Sequence, residues 1–150
     1  MPDNILILGL GNILMRDEGV GVKVLEYLQG KPLPEFVTLL DGGTGGFHLL
    51  SMIQTYKRVI IIDATIGGEI QEEIKVLKPR FASDFPKTLT SHEIGLKDLI
   101  ESTELLGELP EISLITINIR ECNSVGIGVS LELEKKFPDI YETVQRILKT

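Results

Sequence analysis

The sequence is short of several things, and each shortage removes a class of function. A single cysteine, Cys122, excludes an intrachain disulfide and points to a reducing compartment. Such a lone thiol is read first as a small buried hydrophobe. No apolar run approaches the ~18 residues that a membrane-spanning helix requires, so no membrane insertion is expected. The first residues, MPDNILIL, show no basic leader and no cleavage site, so a signal peptide is not expected and the cytoplasm is the expected compartment. Basic residues are outnumbered, with 15 Lys and Arg against 22 Asp and Glu; the formal charge of −7 is the wrong sign for a nucleic-acid footprint. Repeats, low-complexity tracts and linkers are also missing. The 150 residues, 43% of them hydrophobic, suit one domain spanning 1–150 with a sizeable core.

What is present is organised around Ile5 to Gly21, ILILGLGNILMRDEGVG. A continuous apolar run at its start is the signature of a strand buried on both faces. Gly9 and Gly11 follow, permitting a tight turn and a close backbone approach. Beyond Gly21, Val24, Leu25 and Leu28 fall on one helical face, and Gly30 with Pro32 closes that helix. Further buried strands are expected at Phe36 to Leu40 and at Arg58 to Ile62, each ending at an aspartate (Asp41, Asp63), with a last one at Ser113 to Ile119. Ile74 to Leu77, with alternating charges beside Pro79, reads as an edge strand. Helices are expected around Phe47 to Ile53, around Leu96 to Ile100, and from Leu131 to Leu148 with an interruption at Pro138. Strands alternating with helices predict an α/β fold, a mainly parallel sheet covered on both faces.

Three groups share one address on such a sheet. Glu18 follows the first strand, Asp63 ends the third, and His92 lies in the long loop before the third helix. Neighbouring strands lie ~4.8 Å apart, so carboxylates beyond their ends can converge on one ion. Two carboxylates and an imidazole suit a divalent transition metal such as nickel or zinc, with open positions for water or substrate. Each has a structural alternative. Asp17 and Glu18 would cap the first helix, worth ~0.3–1 kcal/mol. Asp63 would hold a turn, and so would Asp41 ahead of its glycines. His92 would be a surface loop residue, and His48 a helix residue without a chemical role.

Taken together, GLGNILMRDEGVG (Gly9 to Gly21), DGGTGGFHLL (Asp41 to Leu50), VIIIDA (Val59 to Ala64) and SHEIGL (Ser91 to Leu96) resemble the hydrogenase maturation proteases. These endopeptidases trim the large subunit of nickel–iron hydrogenases. The resemblance covers about the first two-thirds of the chain. It implies a three-layer α/β/α sandwich of the phosphorylase/hydrolase-like kind, with a mainly parallel, mixed five-stranded sheet. It implies that Glu18, Asp63 and His92 are both metal-contacting and catalytic. On this reading the nickel is supplied by the substrate and no permanent cofactor is expected, although zinc or cadmium would occupy the site adventitiously. The expected partner is the precursor of a hydrogenase large subunit, whose C-terminal extension is removed. Asp41, Gly42, Gly43, Thr44 and Gly45 would form a substrate-recognition loop. A monomer is the expected state. The C-terminal third departs from the family pattern: a Gly–hydrophobic–Glu–Pro stretch is replaced by IRECNSVGIGVS, and residues from Leu131 onward read as scaffold.

Three rivals remain in view. A dinucleotide-binding module wants Gly or Ala where Leu14 stands in the GxGxxG fingerprint. Peptidyl-tRNA hydrolases share the strand and GLGN, but they want Pro where Ile13 stands and a histidine earlier than His48. A non-enzymatic hydrogenase-assembly chaperone would use the same groove without cutting.

Overall fold

The structure, a computed structural model, describes residues 4–43, 49–85, 96–107, 109–120 and 124–150. Its sheet follows from the apolar runs. Strands β1 (Ile5–Leu10), β2 (Val37–Gly43), β3 (Arg58–Ile66), β4 (Ile74–Leu77) and β5 (Glu111–Ile119) pair in the order β2-β1-β3-β5-β4. All neighbours are parallel except β4 against β5. The edge position of β4 agrees with its charges, and three of its four residues are exposed.

Successive side chains on a strand point to opposite faces, so one sheet builds two cores. On one face Ile5, Ile7, Ile60, Ile62, Ile115 and Ile117 pack against helices α1 (Val20–Gln29) and α5 (Phe137–Leu148). On the other, Leu6, Leu8, Val59, Ile61 and Leu114 pack against α2 (Leu49–Thr55) and α3 (Leu96–Leu106). That is a three-layer α/β/α sandwich. Full burial of each of these Leu and Ile side chains is worth about 1.5–3 kcal/mol, which explains why β1 is apolar at all six positions.

Three boundaries differ from the sequence reading; in the first, β2 does not end at Asp41 but runs on to Gly43. Pro138 does not interrupt the last helix. The break falls earlier, between the short α4 (Leu131–Glu134) and α5, and Pro138 occupies the first turn of α5. There the missing proline N–H costs no helical hydrogen bond. Asp63 does not end β3, which runs on to Ile66 because β5 keeps pairing with it, from Arg58↔Glu111 to Ile66↔Ile119. Among the described residues no helix is long and apolar enough to cross a membrane.

Past β3 the chain is pinned to Asn118, by backbone hydrogen bonds at Glu72 and Glu73 and by the Asn118 side chain. Asn118, only 5% exposed, accepts the Gly68 N–H at 3.1 Å and donates to the carbonyls of Gly68 (3.2 Å) and Ile70 (2.7 Å). Asn118→Ala strands three loop groups at once, and we expect a loss of about 2 kcal/mol. Urea unfolding should show this as a lower midpoint with an unchanged slope.

Candidate active site at the switch point

The order of the strands creates a crevice. From β1 the chain crosses one face through α1 to β2, then returns across the opposite face through α2 to β3, on the other side of β1. The connection leaving β1 turns to β2 on one side, whereas the one leaving β3 passes beyond β5 to β4 on the other, so the two part at the carboxyl ends of adjacent strands. In open α/β sheets this is where ligands bind. Glu18 lies on the connection leaving β1, and Asp63 lies on β3.

Asp63 sits where the sheet opens. The β1–β3 ladder stops at Gly9↔Ile62, so Asp63 is the first β3 residue beyond it, while on the other side it is still in register with Thr116. By alternation it shares the face of Val59 and Ile61. Along that face the sheet turns from apolar to polar towards its carboxyl edge, with Asp63, Thr116 and Asn118 replacing Leu and Ile. Asp63 is fully buried, and its Oδ1 accepts the Ala64 N–H at 2.8 Å. A carboxylate is costly to bury without compensation, and among the described residues no buried side-chain nitrogen or oxygen lacks a hydrogen-bond partner.

Glu18 is half-buried on a 3-10 turn, Arg16–Gly19, that precedes α1 and packs against β3. Its N–H donates to the Met15 carbonyl at 3.1 Å, and its own carbonyl accepts the Asn12 N–H at 3.2 Å. Glycines make this closeness possible. A Cβ on Gly11 would stand 2.5 Å from the Glu18 carbonyl oxygen. A Cβ on Gly21 would strike the Leu10 carbonyl and stand 2.5 Å from that of Ile62, the residue before Asp63. The start of α1 is thus seated on the ends of both β1 and β3.

Asp17 does not cap α1. The N-cap of that helix is Gly19, with no side-chain hydrogen bond. Asp17 instead reaches a residue distant in the chain: the Ser130 N–H donates to Oδ1 at 2.7 Å and the Ser130 hydroxyl to Oδ2 at 3.0 Å. The same two loops are zipped further along. Arg16 N–H donates to the Gly126 carbonyl at 3.0 Å and Gly126 N–H to the Leu14 carbonyl at 2.8 Å. The only sequence signal for this was the glycine pair Gly126 and Gly128 beside Ser130.

Asp41 behaves as the turn former. It is exposed, its Oδ1 accepts the Gly43 N–H at 2.8 Å, and Gly43 adopts φ +54°. Gly42 is the extra residue of a bulge between Gly9↔Asp41 and Leu10↔Gly43, wedged against Leu8, Leu10 and Leu49. Thr44, Gly45, His48, His92 and Cys122 lie outside the described residues. Among those described, no group of three or more His, Cys, Asp or Glu side chains gathers to hold a metal.

An open α/β sheet carrying two acids at its switch point is the architecture of a substrate-handling α/β enzyme. The chain belongs to the hydrogenase maturation protease family, whose profile matches residues 22–147; it is thereby a peptidase. It is 31% identical to the hydrogenase 2 maturation protease of Escherichia coli K12, over 97% of this chain and 90% of that one. It is also 31% identical to the hydrogenase expression/formation protein HupD of Rhizobium leguminosarum bv. viciae, over 97% of this chain and 74% of the relative. Among solved structures, the hydrogenase maturating endopeptidase HybD from E. coli superposes with a TM-score of 0.84 at 31% identity, over 97% of this chain and 92% of that one.

Proposed function

We propose that this chain is an endopeptidase that recognises nickel in the immature large subunit of a nickel–iron hydrogenase and removes that subunit's C-terminal extension. The observation that carries the reading is a shared address: Glu18 stands on the turn leaving β1, that turn packs against β3, and β3 carries Asp63. The nickel arrives as part of the substrate. Glu18, Asp63 and His92 would complete its coordination, two carboxylates and an imidazole being a donor set that borderline divalent metals accept. Docking the ion fixes the scissile peptide beside it. Much of the rate gain then comes from orientation, which converts a bimolecular hydrolysis into a positioned one. Hydrolysis adds one water across the peptide bond, its oxygen going to the acyl carbon and a proton to the leaving amine. A carboxylate at this site is suited to holding that proton in transit.

The glycine-rich stretch after β2 would lie beside the substrate tail, with Asp41 shaping its entry. The reducing compartment implied by a lone cysteine is the cytoplasm, where the precursor would be met before assembly.

The test is incubation with a hydrogenase large-subunit precursor, with and without nickel, followed by intact mass measurement. A single shortened product that forms only from the nickel-loaded precursor is expected. Stable association without any shortening would replace the peptidase reading with that of an assembly chaperone.

A further inference from the structure

We infer that Asp17 and Ser130 form a positioning clamp that sets Glu18 in the crevice; this rests on the proposed role of Glu18 towards nickel. The loop that carries Glu18 is tied both within itself and to a distant segment. Arg16, immediately before the acidic pair, is held at φ +51°, a left-handed conformation that a non-glycine residue keeps only when its surroundings impose it. Its own turn closes through the Glu18 N–H to the Met15 carbonyl and the Asn12 N–H to the Glu18 carbonyl, but the 3-10 segment Arg16–Gly19 has no side-chain cap.

Further restraint comes from residues 124–130, more than a hundred positions away. Gly126 pairs with Met15 as an isolated parallel bridge and exchanges backbone hydrogen bonds with Leu14 and Arg16. The Arg16 guanidinium lies against Gly126, where a Cβ would stand 2.6 Å from Cζ, and its Nε donates to Ser124 Oγ at 3.2 Å. At the far end, both oxygens of Asp17 are engaged by the N–H and the hydroxyl of Ser130. Both anchors fall at the start of the turn, on Arg16 and Asp17, the two residues that lead into Glu18. Both Asp17 and Ser130 are only partly exposed, so the contact is shielded from competing water. A segment inside IRECNSVGIGVS, where the chain departs from the family pattern, thereby fixes where the site carboxylate stands. Partners of this kind typically govern affinity by 10–100-fold without touching the ion.

The experiment compares wild type, Asp17→Ala and Asp17→Asn. Asparagine keeps an oxygen to accept the Ser130 N–H and an amide to meet its hydroxyl, but it lacks the charge. Calorimetric titration with nickel or cadmium, without any precursor, should show Asp17→Ala weakened about 10-fold or more. Asp17→Asn should be restored to near the wild-type value. Melting temperatures should fall by no more than about 4 °C, because one partly exposed contact is lost in a chain of this size. In precursor cleavage, Asp17→Ala should lower kcat more than it raises KM. Unchanged metal affinity in Asp17→Ala would overturn the clamp. So would an Asp17→Asn variant as impaired as Asp17→Ala, because Asp17 would then act through its charge. Should wild-type protein take up neither bare ion, precursor cleavage decides: Asp17→Ala cleaving like wild type would overturn the clamp, whereas a precursor cleaved equally with and without nickel would remove the nickel-facing role of Glu18.

Discussion

Asp63→Asn is expected to abolish precursor processing while leaving the protein folded. The substitution keeps the side chain's size and an oxygen at the position that accepts the Ala64 N–H, now 2.8 Å away. The registers of β3 with β1 and β5 are backbone pairings and do not depend on the charge. What disappears is a negative charge in a fully buried place. There, charge is worth more towards a cation or a transferring proton than it would be in water. Losing a positioned acid–base group costs typically 10²–10⁴-fold in rate. Loss of a metal contact would add to this. The expected result is therefore a fall of at least about 100-fold in cleavage, with a melting temperature within a few degrees of wild type. Intact mass of a nickel-loaded precursor over time, beside a thermal melt of each variant, separates the two effects. Normal processing by Asp63→Asn would remove Asp63 from the site.

The parts of the fold that local rules control were legible in the sequence. The apolar run of Ile5 to Leu10 marked a doubly buried strand, the charge alternation of Ile74 to Leu77 marked an edge, and the spacing of Val24, Leu25 and Leu28 marked the helix over the switch point. Asp41 as turn former was legible for the same reason, because an Asx turn is a contact between near neighbours. What was not legible depends on partners remote in the chain. Sequence places Asp63 at a strand end because the apolar run stops there. The strand continues because β5 offers Thr116 and Asn118, polar residues that extend the ladder without extending the hydrophobic pattern. Asp17 likewise fits the composition of a helix cap. Its actual partner, Ser130, is 113 residues away, beyond the reach of any local rule. The candidate site follows the same division: its two described acids were named from motif and position, whereas the contacts that hold the Glu18 turn in place were not.

Gly21→Ala should be the most damaging glycine-to-alanine change among the described residues. Gly21 is buried in the first turn of α1, and its missing side chain lets the helix rest on backbone. An added Cβ would collide with the Leu10 carbonyl oxygen, stand 2.5 Å from that of Ile62 and 2.9 Å from the Leu10 nitrogen. None of these atoms is the end of a flexible side chain; all belong to central strands of the sheet. The helix must lift, and Val20, Val24, Leu25 and Leu28, each no more than 3% exposed, lose contact with the sheet together. Overpacking alone typically costs 1–3 kcal/mol, and the shared loss of packing takes the expected total to about 4 kcal/mol, within the range reserved for core lesions. Gly30→Ala is the matched control. It lies at the other end of the same helix with φ −89°, and its Cβ would meet only the Tyr27 carbonyl at 3.6 Å. Its effect should stay within about 1 kcal/mol and favour stability, because alanine narrows the unfolded ensemble. Urea titrations of both variants measure the contrast directly. A second consequence follows from where Gly21 sits, between the Glu18 turn and the β3 carbonyl preceding Asp63. Lifting α1 carries the turn away from Asp63, and a misplacement of about 1 Å is worth about 100-fold in rate. Under conditions where Gly21→Ala is still mostly folded, its processing of precursor should therefore fall well below its folded fraction. Activity that simply tracked the folded fraction would show that the seating of α1 does not set the geometry of the site.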